Sequence, residues 1–153
     1  MIMHKYVVYG LMTLSLSIGS IAFAEKLPKD AVKLKSSEVK AIYARKSANW
    51  KRWNGYFAPD GTLYEVKKDK SVIGKGKWSV SGNVICNNIT WNNLSNGKSG
   101  KHKTCTKWYK SGKRYLSQWD GEKNKTQYWD GEMKKLKKGD TVSKNYNKLA
   151  KSM

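Results

Sequence analysis

Basic residues interleaved with tryptophan and tyrosine form the pattern with the clearest chemistry in this sequence. They occur as WKRW at 50–53, KW at 77–78, KWYK at 107–110 and RY at 114–115. Such a surface can neutralise phosphates or sulfates while the aromatic rings stack on bases or sugars. We therefore predict polyanion binding through the basic residues in and beside these segments: Lys51, Arg52, Lys77, Lys107, Lys110, Lys113 and Arg114.

The same pattern has a structural interpretation. Along a strand, successive side chains point to opposite faces, so Lys107 would face solvent while Trp108 enters the core. Arginine, whose planar guanidinium favours specific phosphate or base recognition, occurs only at 45, 52 and 114, which argues against specific nucleic-acid binding. The positive charge is equally consistent with a composition that has drifted toward lysine and serves only solubility.

The two cysteines, Cys86 and Cys105, lie on separate segments that read as strands. In an oxidising compartment, two such thiols favour a disulfide. The alternative is a reactive thiol, which requires a neighbouring group to lower its pKa, and the sequence positions none beside either cysteine. We predict the Cys86–Cys105 disulfide.

Enzymatic motifs are sparse. His102 lies between two lysines in a segment rich in Gly, Ser and Lys, which favours an exposed residue over a catalytic base. Metal-ligand clusters, phosphate-binding loops and Gly-x-Ser-x-Gly elbows are absent from the sequence, so we predict no cofactor and no metal. Six acids could in principle pair as the acid and base of a glycosidase, but several fall on predicted turns. These acids are Asp60, Glu65, Asp120, Glu122, Asp130 and Glu132. We predict a protein that is not an enzyme.

The first 24 residues predict a secretory signal peptide. Lys5 precedes an apolar run from 11 to 23, and Ala22-Phe23-Ala24 is a small-x-small cleavage site. Serines and a threonine make the run too mild for a membrane anchor, and no cysteine follows for lipid attachment. Cleavage removes one lysine and no acid, so the formal charge falls from +20 to +19. We predict export to the periplasm or the cell exterior, without a transmembrane segment in the mature chain.

The remaining sequence divides into a flexible leader at 25–35, a β domain at 36–142 and a basic C-terminal tail at 143–153. A short helix is expected at 36–44, followed by hairpins that turn at Pro59-Asp60-Gly61, Gly82 and Gly112. The run at 67–70 reads as an exposed loop. Similar QWDGE and YWDGE segments at 118–122 and 128–132 read as two hairpin corners.

These segments predict a mainly β fold: a single small antiparallel barrel or sandwich of about seven or eight short strands, with a short N-terminal helix and one disulfide. The helix is expected to cover an open end or edge of the sheet. In the tail, Val142, Tyr146 and Leu149 share one side of a helical pattern, so this segment either packs against the barrel or frays.

Taken in order, the motifs resemble a family of small exported proteobacterial proteins known only as a domain of unknown function. The resemblance spans residues 36–143 and is carried by GYFAPDG at 55–61, GKGKWSV at 74–80, Ile85-Cys86 with Trp91, Cys105, and KKGDTV at 137–142. It implies a secreted, mostly β domain and supplies no activity or site residue. The high Lys and Asn content departs from the pattern expected for that family.

Two functions follow as expectations. The first is an exported, non-enzymatic binding protein for anionic envelope or extracellular polymers, such as anionic glycans or lipid phosphates. The second is a small periplasmic barrel that inhibits or scaffolds another envelope protein. An exposed apolar patch would favour the second.

Overall fold

A computed structural model describes residues 24–152, so the predicted signal peptide lies outside the described residues except for Ala24. The strands are β1 (Ala24–Glu25), β2 (Val32–Lys33), β3 (Lys46–Asn49), β4 (Trp53–Phe57), β5 (Thr62–Lys67), β6 (Val72–Ser81), β7 (Val84–Asn93), β8 (Ser99–Ser111), β9 (Arg114–Trp119), β10 (Tyr128–Trp129) and β11 (Leu136–Lys138). The helices are α1 (Ser36–Tyr43), α2 (Ser143–Ala150) and a 3₁₀ turn at Met133–Lys135. Neither α-helix of the described chain has the length and hydropathy needed to span a membrane.

All eleven strands belong to one antiparallel sheet, in the order β1-β10-β9-β8-β7-β6-β5-β4-β3-β11. The short β2 pairs with β8 beyond the point where β7 begins. Within the described residues β1 and β11 are the two ends of this order and do not pair with each other. The fold is therefore mainly β and antiparallel, as predicted. Its single sheet is curled into a half-barrel, which agrees in part with the predicted barrel and differs from a two-sheet sandwich.

The strand count exceeds the predicted seven or eight for a physical reason. Five strands, β1, β2, β3, β10 and β11, contain only two to four residues each. A segment this short carries no readable alternation of apolar and polar residues, so its pairing depends on neighbours that are distant in sequence. Two of these strands lie at residues 24–33, overlapping the segment predicted to be a flexible leader.

The long central strands follow the predicted hairpins. β6 and β7 pair over ten residues from Val72↔Asn93 to Ser81↔Val84, and β8 and β9 pair up to Ser111↔Arg114. The connections contain Gly82 and Gly112 at φ of 57° and 54°, a left-handed conformation that costs glycine little. Local turn chemistry therefore sets the register of both hairpins.

One face of the sheet, here called the inner face, carries the buried side chains of Phe57, Leu63, Ile89 and Trp108. Helix α1 covers this face and packs most closely against β6 and β7. Its Val39, Ile42 and Tyr43 side chains join the same cluster. An eight-residue helix is marginal alone, so this packing is what stabilises it.

Helix α2 packs on the opposite, outer face. Its Tyr146, together with the preceding Val142, is buried against Val66 of β5 and Ile73 of β6. The rings of Tyr64 and Tyr146 meet with centroids 5.3 Å apart. Of the two outcomes expected for the C-terminal tail, packing is the one observed.

Candidate functional site

Two neighbouring turns at one end of the sheet enclose an open groove of about 360 Å³. We call it the basic groove; it is lined by Lys51, Arg52, Lys67, Lys68 and Asp69. Lys51 and Arg52 occupy the β3–β4 turn, and the other three residues lie at the β5–β6 turn. The Lys68 N–H donates a hydrogen bond to the Arg52 carbonyl at 3.0 Å, so the two turns are tied together.

Local sequence fixes the shape of the β5–β6 turn. The Asp69 carboxylate accepts hydrogen bonds from the Ser71 N–H at 2.9 Å and the Ser71 hydroxyl at 2.6 Å. Lys70 then adopts a left-handed φ of 60°. The hydrogen bond from Lys67, followed by those from Ser71, lowers the pKa of Asp69 well below its usual range. Asp69 is therefore ionised and already engaged within the turn.

The groove has an excess of positive charge. Lys67 Nζ lies 2.8 Å from Asp69 Oδ2 and 3.1 Å from the Ser71 hydroxyl. The Lys51, Arg52 and Lys68 side chains are exposed and contact no carboxylate or other acceptor in residues 24–152. One acid thus compensates one of the four cations, and three remain available to an anion.

Lys51 and Arg52 were predicted as binding residues, whereas Lys67 and Lys68 were assigned only to an exposed loop. The signal that could have found them is the position of WKRW at 50–53 and KKDK at 67–70 at alternate hairpin turns. In an antiparallel sheet, alternate turns lie at the same end.

Lys77 and Lys107, also predicted for polyanion binding, lie outside the groove. Both are exposed on strands, and Lys77 Nζ donates to the Thr62 hydroxyl at 3.1 Å. Lys107 lines a separate hollow of about 140 Å³ with Asp120 and Lys125 among its other walls. The structure does not bring these two lysines to Lys51 and Arg52.

The last three predicted cations lie around the β8–β9 hairpin, whose turn is at the other end of the sheet from the groove. Lys110 Nζ lies 5.5 Å from the centroid of the Tyr115 ring, and Lys113 is an exposed turn residue. Arg114 forms ion pairs with the carboxylates of Glu25 and Asp130. The seven predicted residues therefore do not make one continuous surface, because hairpin direction sends them to different ends and faces.

Five of the six acids considered for catalysis have partners in the fold. Asp60 accepts from Thr62, Asp120 from the Cys105 N–H, Glu122 from Trp129 Nε1, Asp130 pairs with Arg114, and Glu132 accepts from Trp50 Nε1. These contacts organise turns and strand ends.

Glu65 is the exception. It lies in the middle of β5 on the inner face and is only 8% exposed. Burial raises the pKa of its carboxyl to about 7. No residue of the described chain donates a hydrogen bond to it or forms an ion pair with it; Lys67, two residues along the same strand, contacts Asp69 instead. Glu65 is a buried acid with no structural partner.

We expect Glu65 to make stability fall with rising pH. Its pKa rises from 4.5 in the unfolded chain to about 7 in the fold, because burial favours the protonated carboxyl. The stability that goes with the protonated form is fully present below pH 4.5 and is lost as the pH rises through 7, where the buried carboxyl ionises. Glu65→Gln should raise the free energy of unfolding at pH 8 by about 1–2 kcal/mol, less than the full pKa shift implies because a buried, unpaired amide is also costly.

Urea unfolding of both proteins between pH 5 and pH 8 measures this effect, and the variant should show the flatter dependence. Glu38→Gln, which changes an exposed acid on α1, is the matched control. The same pH dependence in wild type and Glu65→Gln would contradict the assignment.

Other predicted chemical groups are placed as follows. His102 is exposed, as predicted, but it lies on β8 and not in a loop. Cys86 and Cys105 form the predicted disulfide. Within residues 24–152, no three His, Cys, Asp or Glu side chains come together as a set of metal ligands.

The fold and groove define the class of this protein: a disulfide-linked, antiparallel half-barrel with a basic groove at one end of its single sheet. The chain belongs to the family described as "Protein of unknown function (DUF995)", whose model matches residues 11–146. This match confirms the resemblance to a domain of unknown function and extends beyond the span of 36–143 on which it was recognised. No curated protein and no solved structure matches the chain.

Proposed function

We propose that the protein is an exported, non-enzymatic binding protein for anionic polymers, which it contacts through the basic groove. The observation that carries this proposal is the convergence of Lys51, Arg52 and Lys68 on one open groove whose single acid, Asp69, is already paired with Lys67. An anionic ligand supplies the missing countercharge. The bound groups would be the phosphates of a lipid headgroup or the sulfates and carboxylates of a glycan.

The cation types set the expected selectivity. A lysine ammonium group is a point charge and does not form the paired hydrogen bonds that a guanidinium group forms with a phosphate or carboxylate. Among the residues lining the groove, only Arg52 has a guanidinium group. Ligands should therefore rank by charge density more than by chemical identity. This supports a general polyanion binder over a protein specific for one nucleic-acid sequence.

The disulfide and the N-terminal sequence support export. Structural disulfides persist mainly in oxidising compartments, and the Cys86–Cys105 bond joins neighbouring strands β7 and β8. The apolar run at 11–23 with its Ala22-Phe23-Ala24 ending has the form of a cleaved signal. The proposed location is the periplasm or the cell exterior.

The groove can be tested with charge-matched variants. The triple variant Lys51→Ala, Arg52→Ala, Lys68→Ala should bind heparin and anionic phospholipid vesicles about tenfold more weakly at low salt. Its log–log slope of affinity against salt should fall by about two to three, because up to three counterion-releasing contacts are lost. The control replaces Lys101, Lys103 and Lys123, which are exposed outside the groove, and changes the net charge equally.

Titrations at two ionic strengths, followed by tryptophan fluorescence and by cosedimentation, give the affinity at low salt and the slope of affinity against salt. Equal losses in the two triple variants would show that binding follows net charge and not the groove. If the wild-type protein binds neither polymer even at low salt, the polyanion proposal is wrong.

A second candidate, an inhibitor or scaffold of another envelope protein, is supported by exposed aromatic area. Trp119 and Trp129 lie on neighbouring strands β9 and β10 with 49% and 37% of their surface exposed. Trp129 is paired with Ser117 across the two strands, and Trp119 lies two residues beyond Ser117 on β9. Both tryptophans therefore lie on the same face of the sheet. A partner captured from envelope extracts that elutes only at high salt, and is lost when both tryptophans become serine, would favour this function over the first.

A further inference from the structure

The two strands of the β8–β9 hairpin differ in length, so β9 covers only part of β8. β8 has 13 residues and β9 has six, and β9 pairs with residues 106–111 of β8. On its other side, β8 pairs with β7 over residues 99–107. The segment 99–104 is therefore bonded to β7 along one side, and within residues 24–152 no strand pairs with its other side. We call this segment the free edge.

The backbone groups of Cys105 show which way alternate residues of β8 point. Its N–H donates to Asp120 Oδ2 at 2.9 Å, and its carbonyl accepts from the Asp120 N–H at 2.8 Å. Asp120 directly follows β9, so both groups of Cys105 point away from β7. In an antiparallel strand, residues two positions apart direct their backbone groups to the same side. Ser99, Lys101 and Lys103 therefore each direct an N–H and a carbonyl to the free edge, where no residue of the described chain is hydrogen-bonded to them.

The free edge is long enough and open enough to accept another strand. Ser99, Lys101, His102 and Lys103 are all exposed. At about 3.4 Å per residue, the six residues span about 20 Å, which is the length of an ordinary strand. An exposed edge with unpaired donors and acceptors is a template for an added strand.

The three longest strands of the sheet carry positive charge and no acid. They are β6, β7 and β8, which hold two, no and four lysines respectively. No Asp or Glu occurs anywhere in the range 70–119, which includes all three strands. The surface beside the free edge therefore lacks a countercharge from its own strands.

Two of these lysines, Lys101 and Lys103, lie on the free edge itself. They flank the position that pairs with the inward-facing Ile89, so both side chains point to the outer face. Lys75 and Lys77 of β6 follow in the same two rows, two strand spacings or about 10 Å away. The ion pairs of the described chain include neither Lys101 nor Lys103. An added strand would meet these two cations at alternate positions.

We propose that the free edge binds an extended acidic segment of a partner protein, which adds to the sheet as one more strand beside β8. The main chain of the segment bonds to Ser99, Lys101 and Lys103, and carboxylates at every second position pair with the two lysines. The same lysines repel a basic strand and disfavour an apolar one, so they also provide selectivity. A second copy of this edge is a poor partner, because two-fold pairing would bring its lysines together.

This site is separate from the basic groove, which lies at the β3–β4 and β5–β6 turns, and does not depend on the function proposed for that groove. The variants of the groove test should respond in the opposite sense here. The groove triple variant should keep its affinity for an acidic segment within about twofold at about 0.15 M salt. The charge-matched triple variant lacks Lys101 and Lys103 and should lose that affinity.

The probe is the peptide acetyl-TEVEVET-amide, added to the ¹⁵N-labelled protein at pH 7 and about 0.15 M salt. In the free protein, the N–H groups of Lys101 and Lys103 should exchange fast, whereas that of His102, which points to β7, should be protected. Saturating peptide should slow exchange at Lys101 and Lys103 by about tenfold or more. The isomer TEEEVVT has the same composition and charge without the alternation, and it should bind about tenfold more weakly.

Two substitutions at one position separate the backbone from the charge. Lys101→Gln keeps the N–H and should weaken peptide binding about two- to fivefold. Lys101→Pro also removes the N–H that points to the free edge, leaves the bonds to β7 in place, and should weaken binding about tenfold further. Lys40→Gln changes an exposed lysine on α1 and should bind as wild type does. A peptide methylated at its edge-facing nitrogens repeats the backbone test on the unaltered protein, and melting temperatures check the fold of each variant.

Four results would overturn the proposal. In the first, Lys101 and Lys103 amides are as protected as that of His102 in the free protein, so the edge is already paired. In the second, their protection grows with protein concentration alone, so a second copy occupies the edge. In the third, the two peptide isomers bind equally, so charge alone decides. In the fourth, the groove triple variant loses the peptide while exchange at Lys101 and Lys103 never responds to it, so the peptide binds the basic groove.

Discussion

Replacing Trp108 with alanine is expected to lower the free energy of unfolding by about 3–5 kcal/mol, whereas Lys107→Ala should change it by less than about 0.5 kcal/mol. The two residues are adjacent on β8, but Trp108 is fully buried and Lys107 is exposed. Trp108 lies at the centre of the inner face, where its ring meets Tyr43 of α1 edge-on at 5.9 Å. Its removal leaves a large cavity under the helix.

Trp78→Ala is expected to behave like Trp108→Ala. Its ring meets Phe57 at 5.9 Å, and its Nε1 donates to the Ala58 carbonyl at 2.9 Å. The truncation therefore loses packing and one of the two hydrogen bonds to the Ala58 carbonyl, which keeps the one from the Gly61 N–H. Guanidinium unfolding followed by circular dichroism measures all three variants. Equal losses for Lys107→Ala and Trp108→Ala would contradict the assignment of inward and outward faces.

Removing the disulfide by replacing both Cys86 and Cys105 with serine is expected to destabilise the protein by about 3 kcal/mol. The bond closes a segment with a sequence separation of 19, and the loop-entropy model gives this magnitude for the unfolded chain. The cysteines are also direct partners in the β7–β8 pairing, so the bond reinforces a contact that the sheet already makes.

The measurement pairs guanidinium unfolding with intact mass and thiol labelling of natively purified protein. The wild-type mass should be lower than the fully reduced mass by two hydrogen atoms, and no thiol should react before reduction. Unfolding of the wild-type protein in a reductant, which breaks the bond without changing a side chain, is the control and should lose about as much stability as the double variant. Two reactive thiols in the native protein would contradict the disulfide.

Several parts of the fold could be predicted because their signals are local. The Gly82 and Gly112 turns, with alternating residues on either side, predicted the central hairpins, and the apolar spacing at 36–44 predicted the helix. The serines expected to cap this helix do not do so: Lys35 precedes the helix, and its N–H donates to the Glu38 carboxylate. Lys107 and Trp108 could be assigned to opposite faces from strand geometry alone. In each case the residues that decide the conformation lie within a few positions of one another.

The candidate site depends on contacts that no local pattern encodes. Lys51 and Arg52 form a groove with Lys67 and Lys68 only because β4 pairs with both β3 and β5, which brings the two turns to one end of the sheet. Arg114 has a similar local sequence but lies beside the β8–β9 turn, at the other end of the sheet from Lys51 and Arg52. Sequence alone nominated cations but could not determine which of them share a surface.

Glu65 shows most clearly which features the sequence determined and which features the tertiary structure determined. The sequence alone predicted a strand at 62–66, in which alternation places Glu65 on the same face as Leu63, and it predicted the pairing of the two cysteines and export. The large excess of positive charge is read from it directly. Only the tertiary structure decided that Gly55 and Gly74 flank this acid on β4 and β6, that its side chain is buried, and that Lys67 pairs with Asp69. The physical reason is that alternation within a strand assigns a side chain to a face, whereas its burial and its partners depend on the strands that pair beside it.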